Sequence, residues 1–150
     1  MKLEDVQAAA AAALSARAYF TDAVAVPIIE DDGLQDDVIE SHLNSTGCVV
    51  LVSPITAARP IGAGNGVALV AMLAEFFVQV LVNPQTNAET GGADRNAIEA
   101  VTNAIAALNN ATLAAGDRQF ELADDGVNLN VTDGGLMIYD LKFRKRVSAP

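Results

Sequence analysis

The sequence predicts a single-domain α+β fold, in which a mostly antiparallel β-sheet packs against two main helices. The chain has 150 residues, of which 51% are hydrophobic, and a domain of this size can bury a core without disulfides. Apolar residues recur at every second position over 66–84 and 137–143, which is typical of strands. They recur at helical spacing over 3–18 and 94–108, which predicts the two helices.

The first part of the chain predicts a helix followed by shorter elements. Residues 3–18 are rich in alanine, the best helix former. Pro27 restricts the apolar residues 23–29 to an edge or irregular strand, and a short helix is predicted over 33–44. The continuous apolar run 48–52 predicts a strand that is buried on both faces.

The stretch 66–84 is the strand around which the predicted sheet is organised. Its even positions are all apolar, and its β-branched and aromatic residues favour a strand over a buried helix. Pro84 ends it, because proline cannot donate to a sheet ladder. A membrane span would need about 20 apolar residues, and Glu75 interrupts this stretch near its middle, so we expect no membrane span.

The connection 53–66 contains two prolines and three glycines. We predict a long exposed loop, since it exceeds the usual hairpin connection. Long loops in compact domains are often binding elements. This one is either an arm that reaches a neighbouring molecule or a hairpin loop with no binding role.

The part of the chain after Pro84 predicts a loop over 85–92, the second main helix over 94–108, and strands joined by turns at 124–126 and 133–135. The helix carries an apolar stripe formed by Ile98, Val101, Ile105 and Leu108. The core-facing side of the final strand is predicted to consist of Met137, Tyr139, Leu141 and Phe143. Its opposite side is predicted to consist of Asp140, Lys142, Arg144 and Arg146.

Charge is distributed unevenly along the chain. The net charge is −10, which disfavours sequence-specific nucleic-acid binding because that needs a basic surface. Four of the nine basic residues lie together in the final strand, whereas acids concentrate over 30–40. Either both groups are solvated surface, or they bind partners of opposite charge, including each other in neighbouring copies. The predicted partner-binding residues are Glu30, Asp31, Asp32, Asp36, Asp37, Lys142, Arg144, Lys145 and Arg146.

No residue pattern predicts catalysis, a cofactor or a metal. His42 and Cys48 are the only histidine and cysteine, and a nucleophile pair is disfavoured because Cys48 begins a buried run, where cysteine acts as a small hydrophobe. The glycines of 62–66 precede a strand, whereas a phosphate-binding loop precedes a helix. Neither zinc-ligand nor EF-hand spacing is present. We therefore expect a protein that is not an enzyme.

Three stretches taken together resemble a known protein family. They are VQVLVNPQTN at 78–87, the amphipathic helix after it, and the ending GGLMIYDLKFRKRV at 134–147. With the order helix, strands, helix and a strand-rich end, they look like the tail terminator (tail-completion) proteins of long-tailed bacteriophages. In that family the strand before the second helix often ends in Asn-Pro, and the last strand often alternates aromatic and apolar residues.

The resemblance implies a small subunit of a hexameric ring, located in the virion tail or neck and assembled in the host cytoplasm. Such a ring caps the tail tube, stops its growth and joins the tail to the head connector. The implied partners are other copies of the chain, the tail tube protein, a head–tail connector or neck protein and, in a contractile tail, the sheath. Two alternatives stay open: another phage neck or connector subunit, and a small cytoplasmic enzyme or ligand-binding domain that uses 53–66.

Overall fold

The computed structural model describes residues 1–21, 27–29, 36–61, 71–89, 97–111, 113, 117 and 119–148. The helical elements are a 3-10 turn (Leu3–Asp5), α1 (Val6–Ser15), α2 (Ala18–Thr21), α3 (Asp36–Thr46), α4 (Pro84–Glu89) and α5 (Ala97–Asn109). The strands are β1 (Pro27–Ile29), β2 (Cys48–Val52), β3 (Ala57–Ile61), β4 (Ala71–Val82), β5 (Glu121–Val131) and β6 (Met137–Ser148).

These strands form one sheet in the order β1-β2-β4-β6-β5, with β3 also paired to β4. Among the described strands, β1 and β2 are the parallel pair, and the other pairings are antiparallel. β4 and β6 form the centre and are paired along their whole length. Because α1 and α5 pack together on one face of this sheet, the predicted α+β fold is confirmed.

The side chains of β4 alternate between the core face and the opposite face of the sheet, as the sequence predicts. The side chains of β4 that are buried in the core with those of α1 and α5 are Phe76, Val78, Val80 and Val82, and Ala74 is buried as well. Phe76 stacks on Phe143 of β6 with ring centroids 5.9 Å apart, and meets Phe120 edge-on at 5.7 Å. This aromatic group joins the two central strands to each other and to the residue that precedes β5.

The opposite face, called here the outer face, carries a smaller apolar cluster. Val49 and Leu51 of β2 and Leu81 of β4 are buried there, with Ile39 and Leu43 of α3 packed against them. β2 is therefore buried on both faces, as its continuous apolar run predicts.

The connection predicted as a loop over 53–66 contains strand β3. Ser53 links β2 to it, because its Oγ accepts a hydrogen bond from the Phe77 N–H at 2.9 Å and its own N–H donates to the Phe77 carbonyl at 2.9 Å. β3 then pairs with the amino-terminal half of β4. The loop prediction is wrong for β3, and residues 62–66 lie outside the described residues.

The early helices differ from the prediction in their bounds. The helix predicted over 3–18 is interrupted after α1, and α2 follows as a separate turn of helix. The helix predicted over 33–44 is α3, which continues to Thr46 and is closed by Gly47 at a φ of 71°, a conformation that favours glycine at a helix end. β1 is an edge strand, as Pro27 predicts.

The Asn-Pro dipeptide that ends β4 also begins α4. The Asn83 side-chain oxygen accepts hydrogen bonds from the N–H groups of Gln85 at 3.1 Å and Thr86 at 3.4 Å, which is the action of a helix cap. Pro84 occupies the first helical position, where its missing N–H is no loss. The prediction of a loop over 85–92 is therefore wrong for the residues of α4, and the remainder lies outside the described residues.

The buried face of α5 differs from the predicted stripe. Val101 and Leu108 are buried, but Ile98 is 55% exposed, so the prediction is wrong for Ile98. Alanines complete the buried face at positions 97, 100, 104 and 107. Small side chains let α5 pack closely on the sheet and on α1, which explains why the largest residues do not define the face.

The turn predicted at 124–126 is a bulge inside β5, because the register with β6 shifts there while the strand continues. A Cβ at Gly126 would collide with the Ala123 carbonyl oxygen, so the close approach requires glycine. The turn predicted at 133–135 is confirmed by the backbone hydrogen bonds that join β5 to β6.

Candidate interaction surface

The outer face brings four basic side chains together. Arg59 of β3 and Arg146 of β6 lie on either side of Leu73, since both are paired with it in the sheet. Lys142 and Arg144 lie on the same face, four and two residues before Arg146, respectively. We call Arg59, Lys142, Arg144 and Arg146 the basic patch. Arg59 is not among the predicted partner-binding residues, because the sequence places it in a predicted loop, whereas the structure places it in a strand beside β4.

Glu75 of β4 lies within the basic patch and neutralises part of it. Its Oε1 accepts a hydrogen bond from Arg144 Nε at 3.0 Å, and its Oε2 lies 3.4 Å from Lys142 Nζ. Burial raises the pKa of Glu75, but the hydrogen bond from Arg144 and the charge of Lys142 together outweigh burial and hold the pKa below its ordinary value. Lys142 and Arg144 are therefore already engaged within their own chain.

Arg59 and Arg146 are the members of the patch that stay accessible. Both side chains are exposed, and among the described residues no carboxylate lies within ion-pair distance of either. An acidic partner would therefore meet these two guanidinium groups first.

Lys145 is not part of this surface, although it was predicted to bind a partner. It points to the core face and is 0% exposed, with its Nζ 5.4 Å from the centre of the Phe120 ring. Burial lowers the pKa of Lys145, and the charges of Asp117 and Glu121 oppose that effect. The partner-binding prediction is therefore wrong for Lys145, since a fully buried side chain offers nothing to a partner.

The predicted acidic residues are described only in part. Glu30, Asp31 and Asp32 lie outside the described residues. Asp36 begins α3, and the next residue, Asp37, is exposed. Because α3 packs on the outer face, its acidic start and the basic patch belong to the same side of the sheet.

His42 and Cys48, which the sequence disfavours as a nucleophile pair, lie on opposite faces of the sheet. Cys48 is buried in the core beneath α1 and α5, whereas His42 belongs to α3 on the outer face. They therefore do not form a nucleophile pair.

Among the described residues, no group of three or more His, Cys, Asp or Glu side chains is placed to hold a metal ion. Within the same residues, no helix has the length and apolar character needed to cross a membrane.

Described residues line at least two shallow concavities on the surface. One, of about 470 Å³, lies between α1 and α5 and is lined mainly by alanines, with Arg17 as its charged residue. The other, of about 370 Å³, lies beside Pro54 and Ile55. Small-molecule sites combine an enclosed apolar pocket with converging polar groups, and these concavities do not support the ligand-binding alternative.

Comparisons with known proteins add one finding about the fold. The sequence matches no known family model and no curated protein. Its fold matches a chain of a solved structure described as the virion of a native gene transfer agent (GTA) particle, with a TM-score of 0.61. The match covers 95% of this chain and 94% of that chain at 17% sequence identity. The two chains thus share the fold over nearly their whole length.

Proposed function

We propose that this chain is a structural subunit of a phage-like virion, of the tail terminator type, which forms a hexameric ring that caps the tail tube and joins the tail to the head connector. The observation that carries the proposal is the near full-length fold match to a chain of a gene transfer agent virion. The resemblance of the Asn-Pro strand end and the alternating last strand to tail terminators supports the same role. The chain would then be located in the virion and assembled in the host cytoplasm.

A ring requires two different, complementary surfaces on each subunit, because its contacts are heterologous. The basic patch supplies one of them through Arg59 and Arg146. The acidic residues before and at the start of α3, including Asp37, supply the other. On this proposal the acidic surface of one copy meets the basic patch of the next. Complementary charges of this kind increase the association rate and fix the orientation of the partners.

The remaining partners follow from the position of such a ring. One side would contact the tail tube protein and the other a head–tail connector or neck protein, with the sheath as a further contact in a contractile tail. The match to a virion chain also fits a neck or connector subunit, which is the second candidate.

Electron microscopy of the protein mixed with assembled tail tubes tests the proposal. We expect rings at one end of the tubes and no further growth from the capped end, with untreated tubes as the control. Binding to isolated connectors but not to tubes would assign the neck role instead. Binding to neither would contradict both.

A further inference from the structure

Strand β5 exposes an apolar strip at the edge of the sheet. Val127 is 47% exposed, Leu129 48% and Val131 61%. They are paired with Leu141, Tyr139 and Met137 of β6, in that order. The strip therefore continues the core face of the sheet beyond the helices, which leave it uncovered.

Beyond its bulge, over residues 127–131, the edge of β5 lacks the usual protection against strand addition. The exposed segment VNLNV at 127–131 contains neither a charged residue nor a proline, the residues that keep edge strands from pairing. Acidic residues flank it instead, at Asp124, Asp125 and Asp133. A strand that adds here would bury apolar side chains on one face and meet negative charge at both ends.

We propose that β5 is a subunit-contact edge, and that strand β3 of a second copy adds to it in antiparallel orientation. This inference rests on the proposed ring, for which it names a backbone contact in addition to the charged surfaces. The added strand would cover Leu129 with the exposed Ala58 and Pro60, which lie on the core face of β3. Its Arg59 would approach the acidic flanks of β5.

The charges on the candidate strands favour β3 as the strand that pairs with the edge of β5. Two β5 edges paired symmetrically would bring their acidic flanks together, and like charges facing each other disfavour a strand pair. β1 lies at the other edge of the sheet, but it is followed directly by Glu30, Asp31 and Asp32. β3 carries Arg59 as its charged residue and has no partner other than β4 among the described strands.

The strand directions permit this contact in a head-to-tail arrangement. Through β4 and β6, β5 runs antiparallel to β3 of its own chain. If a second copy is translated across the sheet, perpendicular to the strands, its β3 still runs antiparallel to β5 of the first copy. The helices of both copies then lie on the same face of the combined sheet. The copy must also shift along the strands, because β3 is level with the end of β6 and the apolar strip is level with its beginning. Such a stagger tilts the strands of a closed ring. Pro60 cannot donate to the new ladder, so the other residues of β3 must supply the N–H donors.

Paired cysteines test the contact in the full chain. The variant carries Ala58→Cys and Leu129→Cys, and a short bis-maleimide cross-linker is added. Native Cys48 is 1% exposed and is changed to alanine in every variant. We expect a ladder of covalent multimers, since each chain then has one reactive position for each neighbour. A chain with Ala58→Cys mixed with a chain with Leu129→Cys should stop at dimers. The matched control, Leu129→Cys with Glu99→Cys on the exposed side of α5, should give no ladder.

Other outcomes would overturn the inference. Dimers from Leu129→Cys alone would indicate symmetric pairing of β5. A ladder from Leu129→Cys with Ile28→Cys, but not with Ala58→Cys, would assign the contact to β1. The mass of the uncross-linked protein separates this inference from the ring itself. A hexamer without β3–β5 cross-links would support the ring and contradict the strand contact. A monomer without cross-links would contradict both.

Discussion

Adjacent basic residues in β6 have different roles because the strand alternates its side chains. Arg144 is bound to Glu75, Lys145 is buried over Phe120, and Arg146 is exposed on the outer face. In the sequence these residues form one basic run. The run indicates an interface only if all of its side chains are assumed to lie on the same surface. The period of two already assigns Lys145 to the core face. Only the structure shows that Glu75 engages the other side of the run.

Replacing each of two neighbours by glutamate separates these roles. We expect Lys145→Glu to destabilise the protein by more than about 3 kcal/mol, since it places a buried carboxylate near Asp117 and Glu121. The matched change Arg146→Glu should alter the free energy of unfolding by no more than about 0.5 kcal/mol. Urea unfolding of both variants measures the difference. Equal effects would show that Lys145 is not buried.

Glu75 makes stability depend on pH. Because its pKa is lowered in the folded state, the stabilisation is fully present at neutral pH and is lost as the pH falls through that lowered pKa. We expect Glu75→Gln to cost about 1–2 kcal/mol at neutral pH and progressively less in acid. Thermal unfolding over a pH series measures this.

The matched control is Glu40→Gln, which removes an exposed carboxylate of α3. It should change stability little at any pH. A Glu75→Gln deficit that stays constant into acid would show that the ion pairs are not its cause.

Elements with strong periodicity could be predicted from the sequence, and those that depend on neighbours could not. β4 and β6 alternate clearly and were predicted with the correct core face. α4 was missed although Asn83-Pro84 is a cap signal, because the same dipeptide also ends a strand. β3 was missed because Arg59 and Pro60 resemble a loop, and only pairing with β4 makes this segment a strand. In the candidate surface, Arg146 was predicted correctly to point away from the core, whereas Arg59 required the sheet register.

The buried face of α5 gives a test at the level of one helix. Leu108 is buried and Ile98 is exposed, although their spacing predicts that they share a face. We expect Leu108→Ala to cost about 2–5 kcal/mol because it leaves a cavity. Ile98→Ala should cost no more than about 0.5 kcal/mol. Chemical denaturation measures the free energy of unfolding of both variants. Similar losses would indicate that Ile98 and Leu108 are both buried, as the predicted stripe requires.

At the scale of the whole molecule, the sheet divides the protein into a helical side and an outer side. The helical side holds most of the core, while the outer side carries the basic patch and the acidic start of α3. Because the outer side carries a basic and an acidic surface, the basic surface of one subunit can bind the acidic surface of an identical subunit. The net charge of −10 makes the accessible arginines the expected attachment points for acidic surfaces.

Reversing the charges of the accessible arginines tests their role in assembly. We expect Arg59→Glu with Arg146→Glu to leave the melting temperature nearly unchanged, because both side chains are exposed and surface substitutions usually change stability little. The same variant should assemble poorly, since it replaces attraction by repulsion. Arg17→Glu, which changes a basic residue on the helical side, is the control. Normal assembly of the double variant at low salt would show that the patch is only solvated surface.

The measurement that tests the ring most directly is the mass of the native protein in solution, by light scattering or native mass spectrometry. We expect six times the subunit mass at low salt, decreasing as salt is added, because salt screens contacts between exposed charges. A protein that stays at one or two subunits at low salt, even at high concentration and in the presence of tail tubes, would contradict the hexameric ring.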